Sequence, residues 1–106
     1  MSEWVRVAAA GDVVDGEVNS YNVRERAVAV ANLGGDLYAF DDLCTHQQCS
    51  LSEGDVDDTV IECPCHSSRF DMITGEAEQG PATEPLDVFK VREEAGELQV
   101  MIEITE

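Results

Sequence analysis

Two short stretches of this chain hold all of its cysteines and histidines. The first, CTHQQC, contains Cys44, His46 and Cys49, and the second, CPCH, contains Cys63, Cys65 and His66. Each stretch offers a Cys followed closely by a His, so one thiolate and one imidazole from each would give a Cys2His2 set. Such a set could bind tetrahedral zinc, and it also matches a two-iron centre with thiolates on one iron and imidazoles on the other. A zinc site built on Cys44 and Cys63 leaves Cys49 and Cys65 without a task.

Length and charge restrict what can surround these stretches. The chain has 106 residues, enough for one small domain with a real apolar core but not for two. It carries 6 Lys and Arg against 23 Asp and Glu, a formal charge of -17. The long-range field of this charge repels nucleic acid and anionic membranes and favours basic protein partners. Solubility, or adaptation to a salty habitat, is the alternative reason for the acidic excess.

The sequence at the N-terminus gives an expectation about location. MSEWVRVAAAGDV has no basic region ahead of an apolar one and no twin arginine. The chain also lacks an apolar run near the ~20 residues that a membrane-spanning helix needs. We therefore expect a soluble, cytoplasmic protein. Structural disulfides are rare in the cytosol, so the cysteines point first to metal or redox chemistry.

The elements around the two stretches are predicted to be strands. Short β-rich runs separated by Gly, Asp and Asn recur from end to end, which indicates an all-β fold. The run Arg26–Leu33 is apolar enough to be buried on both faces. Leu98, Val100, Ile102 and Ile104 alternate with residues that are polar except for Met101, and this strand pairs with a preceding one across the turn EEAGE. The predicted strands are Trp4–Ala8, Gly16–Val23, Arg26–Leu33, Leu37–Phe40, Thr59–Glu62, Arg69–Asp71, Val88–Arg92 and Leu98–Ile104, with 53–58 as a solvated turn.

The spacing of the two stretches carries a specific resemblance. CTHQQC followed at this distance by CPCHSSRF resembles the Rieske motif. The likeness extends to GDLYAFDDLCTH before it and FDMITGEAEQGPATEPL after it. The chain is similar to the soluble Rieske ferredoxins of bacterial aromatic-ring-hydroxylating dioxygenase systems.

The resemblance implies a fold and a cofactor. A single Rieske domain over residues 1–106 would have a β-sandwich base from 1–41 and 86–106 and a loop-rich cluster-binding subdomain at 42–85. One Rieske [2Fe-2S] cluster would be bound by Cys44 and Cys63 on one iron and by His46 and His66 on the other. Because imidazole is neutral and thiolate is anionic, the histidine-bound iron is the easier one to reduce. The edges of the two histidines would face the partner.

The resemblance also implies a function. The protein would be a one-electron carrier and not an enzyme, passing electrons from a flavin-containing reductase to a terminal oxygenase in aromatic hydrocarbon catabolism. An electron-transfer subunit or donor of a nitrite-reductase-type system is the alternative within redox chemistry. Two other classes are a zinc-stabilised interaction module and a redox sensor that works through Cys49 and Cys65.

Other positions carry implications of the same resemblance. Cys49 and Cys65 stand where bc-type Rieske proteins have a disulfide between the two loops, so we expect them to be bridged. Ser68 matches a serine that donates to a bridging sulfide, whereas Phe70 replaces a donor tyrosine of high-potential members. These two positions predict an intermediate reduction potential. Pro81, in GPATEP, would belong to a loop that covers the cluster.

Overall fold

The computed structural model describes residues 2–24, 26–42, 49–65, 68–79 and 85–103. Eleven strands and one short 3-10 helix, Leu51–Glu53, make up the regular structure of these ranges. The strands are β1 Ser2–Ala9, β2 Val18–Val23, β3 Arg26–Leu33, β4 Asp36–Asp41, β5 Asp55–Asp57, β6 Val60–Glu62, β7 Arg69–Asp71, β8 Ala77–Gln79, β9 Val88–Phe89, β10 Val91–Glu94 and β11 Glu97–Glu103. Within the described ranges, no helix is long and apolar enough to cross a membrane. The predicted all-β class is confirmed.

Three antiparallel sheets form around β3. One has the order β1-β11-β10, the second β2-β3-β4-β9 and the third β5-β6-β7-β8. Successive side chains of a strand point to opposite faces. Val28 and Val30 accordingly pack into one apolar core, and Ala29 and Ala31 pack into another. The predicted burial of β3 on both faces is confirmed, since residues 28–31 have no exposed surface.

The two cores join different pairs of sheets. The base core contains Val28 and Val30 of β3 together with Leu98, Val100 and Ile102 of β11, so it holds the first two sheets together as a sandwich. The upper core lies on the other face of β3, where small alanines leave room for larger side chains. Its buried members are Ala29, Ala31, Phe40, Leu51, Ile61, Cys63, Phe70, Met72 and Leu86. It joins the third sheet to the base.

The prediction of one strand over Val88–Arg92 was wrong. β9 pairs with β4, through Ala39 opposite Phe89, whereas β10 pairs with β11. The chain changes sheets at Lys90, whose carbonyl accepts a hydrogen bond from Met101 N at 2.8 Å. Apolar periodicity cannot reveal this change, because a strand that turns a sandwich corner stays partly buried on both sides of the corner. The hairpin from β10 to β11 is confirmed.

The middle of the chain has more regular structure than we predicted. Residues 55–57 form β5, paired with β6, where we expected only a solvated turn over 53–58. Val56 packs against the upper core, while Asp55 and Asp57 on either side of it are exposed. Because of the exposed acidic residues on both sides of Val56, we predicted a turn where a three-residue strand forms. The predicted strands at Thr59–Glu62 and Arg69–Asp71 match β6 and β7 within one residue.

Candidate metal centre

The first predicted ligand stretch follows the end of β4. Cys44 and His46, with their neighbours Gln47 and Gln48, lie in 43–48, outside the described residues. The described residues on the two sides of 43–48 are joined by Asp42. Its carboxylate accepts a hydrogen bond from Ser50 Oγ at 2.5 Å. The described residues that flank 43–48 are therefore close together, near the end of β4 in the second sheet.

The second predicted stretch connects β6 to β7. Cys63 is only 1 % exposed and packs in the upper core, and Cys63 N donates a hydrogen bond to the carbonyl of Ser68 at 2.7 Å. This bond closes the connection over 64–67. Ser68 is fully buried. His66 and Ser67 lie outside the described residues.

A disulfide joins the two stretches. Cys49 and Cys65 are bonded, with their Cα atoms 6.4 Å apart and a sequence separation of 16. The predicted bridge is therefore confirmed, against the expectation that a cytosolic address gives. Cys65 is exposed and Cys49 is half-buried. The bridge lies at the surface, whereas Cys63 faces inward.

A third segment predicted to cover the cluster precedes β9. Pro81, predicted to lie in a covering loop, belongs to 80–84, outside the described residues. The described residues that follow are held at two points. Leu86 N donates to Gly75 O at 2.7 Å, and Asp41 N donates to Asp87 O at 2.9 Å.

Ion pairs of Arg26 reinforce the contact between Asp41 and Asp87. The Arg26 guanidinium, on β3, lies 2.6 Å from the Asp87 carboxylate and 3.3 Å from that of Asp41. It also lies over the ring of Phe89, 4.8 Å from the centroid. Because Asp41 immediately precedes Asp42, the flanks of 43–48 and of 80–84 meet at the end of β4. The backbone around all three segments is thus fixed to the second and third sheets.

The sequence did not reveal three residues that shape this region. Asp42, Arg26 and Gly75 hold the flanking segments together, yet their partners lie far away in the sequence. A buried aspartate surrounded by serines is a visible signal in principle. It becomes informative only when Ser20 of β2 is known to reach Asp42, across β3 from β4.

A groove on the described surface lies away from this centre. It encloses about 600 Å³. Its lining includes Leu37 to Ala39, at the opposite end of β4 from 43–48, together with Trp4 and Phe89. We therefore assign this groove no role in the metal centre.

The described donors fit an iron-sulfur site. Cys63 offers a buried thiol that takes no part in the disulfide, beside the buried Ser68. Within the described ranges, no three His, Cys, Asp or Glu side chains come together to bind a metal ion. The described residues therefore provide no competing site, and the chemistry of Cys63 suits iron held in a shielded position.

Comparison with known proteins decides between the kinds of metal centre. The model of the Rieske [2Fe-2S] domain matches residues 3–90. The chain belongs to the Rieske family. The cofactor of this family is a [2Fe-2S] cluster, which makes a zinc module the wrong class for this chain.

Individual Rieske relatives share most of the length of this chain. Ferredoxin CarAc of Metapseudomonas resinovorans is 43% identical over 98 residues, 92% of each chain. The ferredoxin component of the naphthalene 1,2-dioxygenase system of Pseudomonas putida is 35% identical over 103 residues, 97% of each. A solved complex of reduced oxygenase and oxidized ferredoxin in carbazole 1,9a-dioxygenase contains a chain with a TM-score of 0.84 and 43% identity. That match covers 92% of this Rieske chain and 91% of the other.

The close approach of Gly75 to Leu86 is testable by substitution. Gly75 has φ +83°, and a Cβ there would lie 2.3 Å from the carbonyl oxygen of Leu86. Gly96 has φ +76° with no atom within 4 Å of its ideal Cβ, which makes it a matched control. Gly96→Ala should lower the free energy of unfolding only by the strain of a left-handed backbone, about 1–2 kcal/mol. Gly75→Ala should lose at least about 1 kcal/mol more, seen as a further drop of about 4–8 °C in thermal midpoint. Equal midpoints for the two variants would contradict this contact.

Thiol counting tests the bridge in solution. With four cysteines in the chain and one disulfide, the unfolded, metal-free protein should show two reactive thiols before reductant and four after it. Cys49→Ser should raise the count before reductant to three, because Cys65 loses its partner. Four thiols in the unreduced wild-type protein would show that the bridge does not form.

Proposed function

We propose that Cys44 and Cys63 bind one iron of the cluster and that His46 and His66 bind the other. One observation carries this proposal. The disulfide occupies two of the four cysteines, so two thiols and the two histidines of the chain remain for the metal. This remainder is the Cys2His2 set that a Rieske centre requires.

The fold supports this ligand set. Cys63 is buried in the upper core, and the disulfide brings the flanks of both ligand stretches together. Rigid flanks favour metal binding because ligands must be held close to their bound geometry. We further propose the division expected from the sequence, with 42–85 as the cluster-binding subdomain on a base of 1–41 and 86–106. The position of β5 to β8 between residues 55 and 79 supports it.

The protein is an electron carrier and not an enzyme. When bound, the cluster supplies a reversible one-electron step. In this proposal the upper core shields Cys63, and the two histidine ligands are left for contact with a partner. The proposed partners are a flavin-containing reductase and a terminal ring-hydroxylating oxygenase, and the proposed location is the cytoplasm. The dioxygenase ferredoxins among the relatives support the partners.

Charge supports docking with basic partners. The net charge is -17, and five arginines are engaged in ion pairs with acidic residues of the same chain. The field outside the protein is therefore strongly negative. Such a field steers a basic surface into contact and is screened by salt.

Electron delivery to an oxygenase tests the proposed function. The reduced protein is mixed with the oxidised terminal oxygenase of a carbazole 1,9a-dioxygenase system, and the reduction of the oxygenase is followed by absorbance. We expect transfer at a rate that falls as NaCl rises, because docking is electrostatic. The His66→Ala variant is the control without a complete ligand set and should transfer no electrons. A colourless protein that contains one zinc ion and no acid-labile sulfide would contradict the function altogether.

The intermediate reduction potential is tested at two buried positions. Ser68 and Phe70 are both fully buried. Ser68→Ala removes a donor and should lower the midpoint potential, since donors to the cluster sulfurs favour the reduced state. Phe70→Tyr adds a hydroxyl and should raise it. Each shift should be of order 60 mV, because about 59 mV in a one-electron couple corresponds to a tenfold change in equilibrium constant.

The control for these shifts is Thr59→Ala. Thr59 lies just before β6, at the end opposite Cys63, so the loss of its hydroxyl should leave the potential unchanged. Protein-film voltammetry measures all four proteins under one condition. A wild-type potential at either extreme of the Rieske range, or equal potentials for wild type and Ser68→Ala, would contradict the assigned donors.

A further inference from the structure

Asp42 is a buried carboxylate at the entrance to the first ligand stretch. It is 2 % exposed. Every lysine and arginine of the chain is among the described residues, and none of them forms an ion pair with Asp42. A buried carboxylate that has no lysine or arginine partner must be satisfied by hydrogen-bond donors.

Three donors satisfy the Asp42 carboxylate. Asp42 Oδ2 accepts from Ser20 Oγ at 2.9 Å and from Ser50 Oγ at 2.5 Å. Asp42 Oδ1 accepts from the backbone N–H of Ser52 at 2.8 Å. Ser50 is further held by Ser52, with 2.9 Å between their hydroxyl oxygens. One side chain thus collects donors from β2 and from the chain that follows 43–48.

The main chain of Asp42 makes the same connection. Its carbonyl accepts from Leu51 N at 2.6 Å, and its N–H donates to Ala27 O of β3 at 3.1 Å. Leu51 is itself fully buried in the upper core. The two ends of 43–48 are therefore bonded to each other and to the second sheet.

We propose that Asp42 is a positioning residue that fixes both ends of the segment carrying Cys44 and His46. The proposal rests on the proposed ligand set. It assigns Asp42 a different task from that of the disulfide, because the bridge connects the two ligand stretches to each other whereas Asp42 connects the first stretch to β2 and β3. With Asp42 in place, the ends of the segment that carries Cys44 and His46 are held against β2 and β3.

The chemistry explains why an aspartate suits this task. An ionised carboxylate has only acceptors and can take several donors at once. Hydrogen bonds to a charged group are stronger than those between neutral groups. Asparagine keeps the size of aspartate but replaces one acceptor with an N–H2 group, which cannot accept from Ser50 or Ser20. Size and hydrogen bonding are therefore separable by substitution.

Loss of iron on incubation with a chelator tests the proposal. Asp42→Ala and Asp42→Asn should both lose iron about tenfold faster than wild type, given the strength of hydrogen bonds to a charged group. Ser50→Ala removes one donor and leaves Asp42 unchanged, so it should give a smaller acceleration in the same direction. Asp55→Asn neutralises an exposed carboxylate of β5 and should lose iron at the wild-type rate.

A spectroscopic readout separates positioning from general loss of stability. The reduced Asp42→Asn and Ser50→Ala proteins should show broadened electron paramagnetic resonance lines, because the ligands of the histidine-bound iron adopt a wider range of geometries. Asp55→Asn should keep the wild-type line widths. Wild-type widths and wild-type iron loss in both Asp42→Asn and Ser50→Ala would overturn the proposal.

Hydrogen exchange distinguishes failure of this proposal from failure of the proposed function. If the wild-type protein held no iron-sulfur cluster, the proposed function would fail, and the role of Asp42 in bracing 43–48 would still be measurable. The amide of Ser52 donates to Asp42 and should exchange about tenfold faster in Asp42→Ala than in wild type. Equal exchange at Ser52 would overturn the bracing role whether or not metal is bound. If Asp42→Ala fails to fold, Ser50→Ala, which keeps Asp42 as the acceptor for Ser52, should give a smaller acceleration at Ser52 in the same direction.

Discussion

The burial of β3 on both faces is the constraint on which the rest of this protein depends. Val28 and Val30 face the base core, while Ala29 and Ala31 face the upper core. A strand in the middle of two cores cannot shift its register by one residue, because every side chain would then exchange faces. The position of β4, which pairs with β3 along its whole length, is fixed as a consequence. The first ligand stretch begins where β4 ends.

The site is built by a division of tasks among chemically similar residues. Cys63 lies in the upper core, whereas Cys65, two residues later, lies at the surface and is bonded to Cys49. The change from a buried Cys63 to an exposed Cys65 leaves one cysteine for the proposed cluster and lets the other fasten the loop. Asp42 and Arg26 apply a second kind of restraint, through hydrogen bonds and ion pairs to the second sheet. Covalent and polar restraints therefore act on different sides of the same region.

Much of this could be predicted from the sequence because the informative signals are local. The apolar run of β3, the alternation along β11 and the spacing of the Cys and His residues each lie within a few residues of one another. The change of sheet at Lys90 could not be predicted, since it depends on which distant strand each half meets. The role of Asp42 was missed for the same reason, because Ser20 lies 22 residues away. Long-range pairing, and not residue chemistry, limited the sequence-based account.

Pulsed electron paramagnetic resonance of the reduced protein measures which side chains bind the reducible iron. We expect one unpaired electron per chain that is coupled to two imidazole nitrogens, with one coupling lost in His46→Cys and one lost in His66→Cys. A reduced protein whose signal shows no nitrogen coupling, or whose two couplings survive either substitution, would contradict the proposed ligand set.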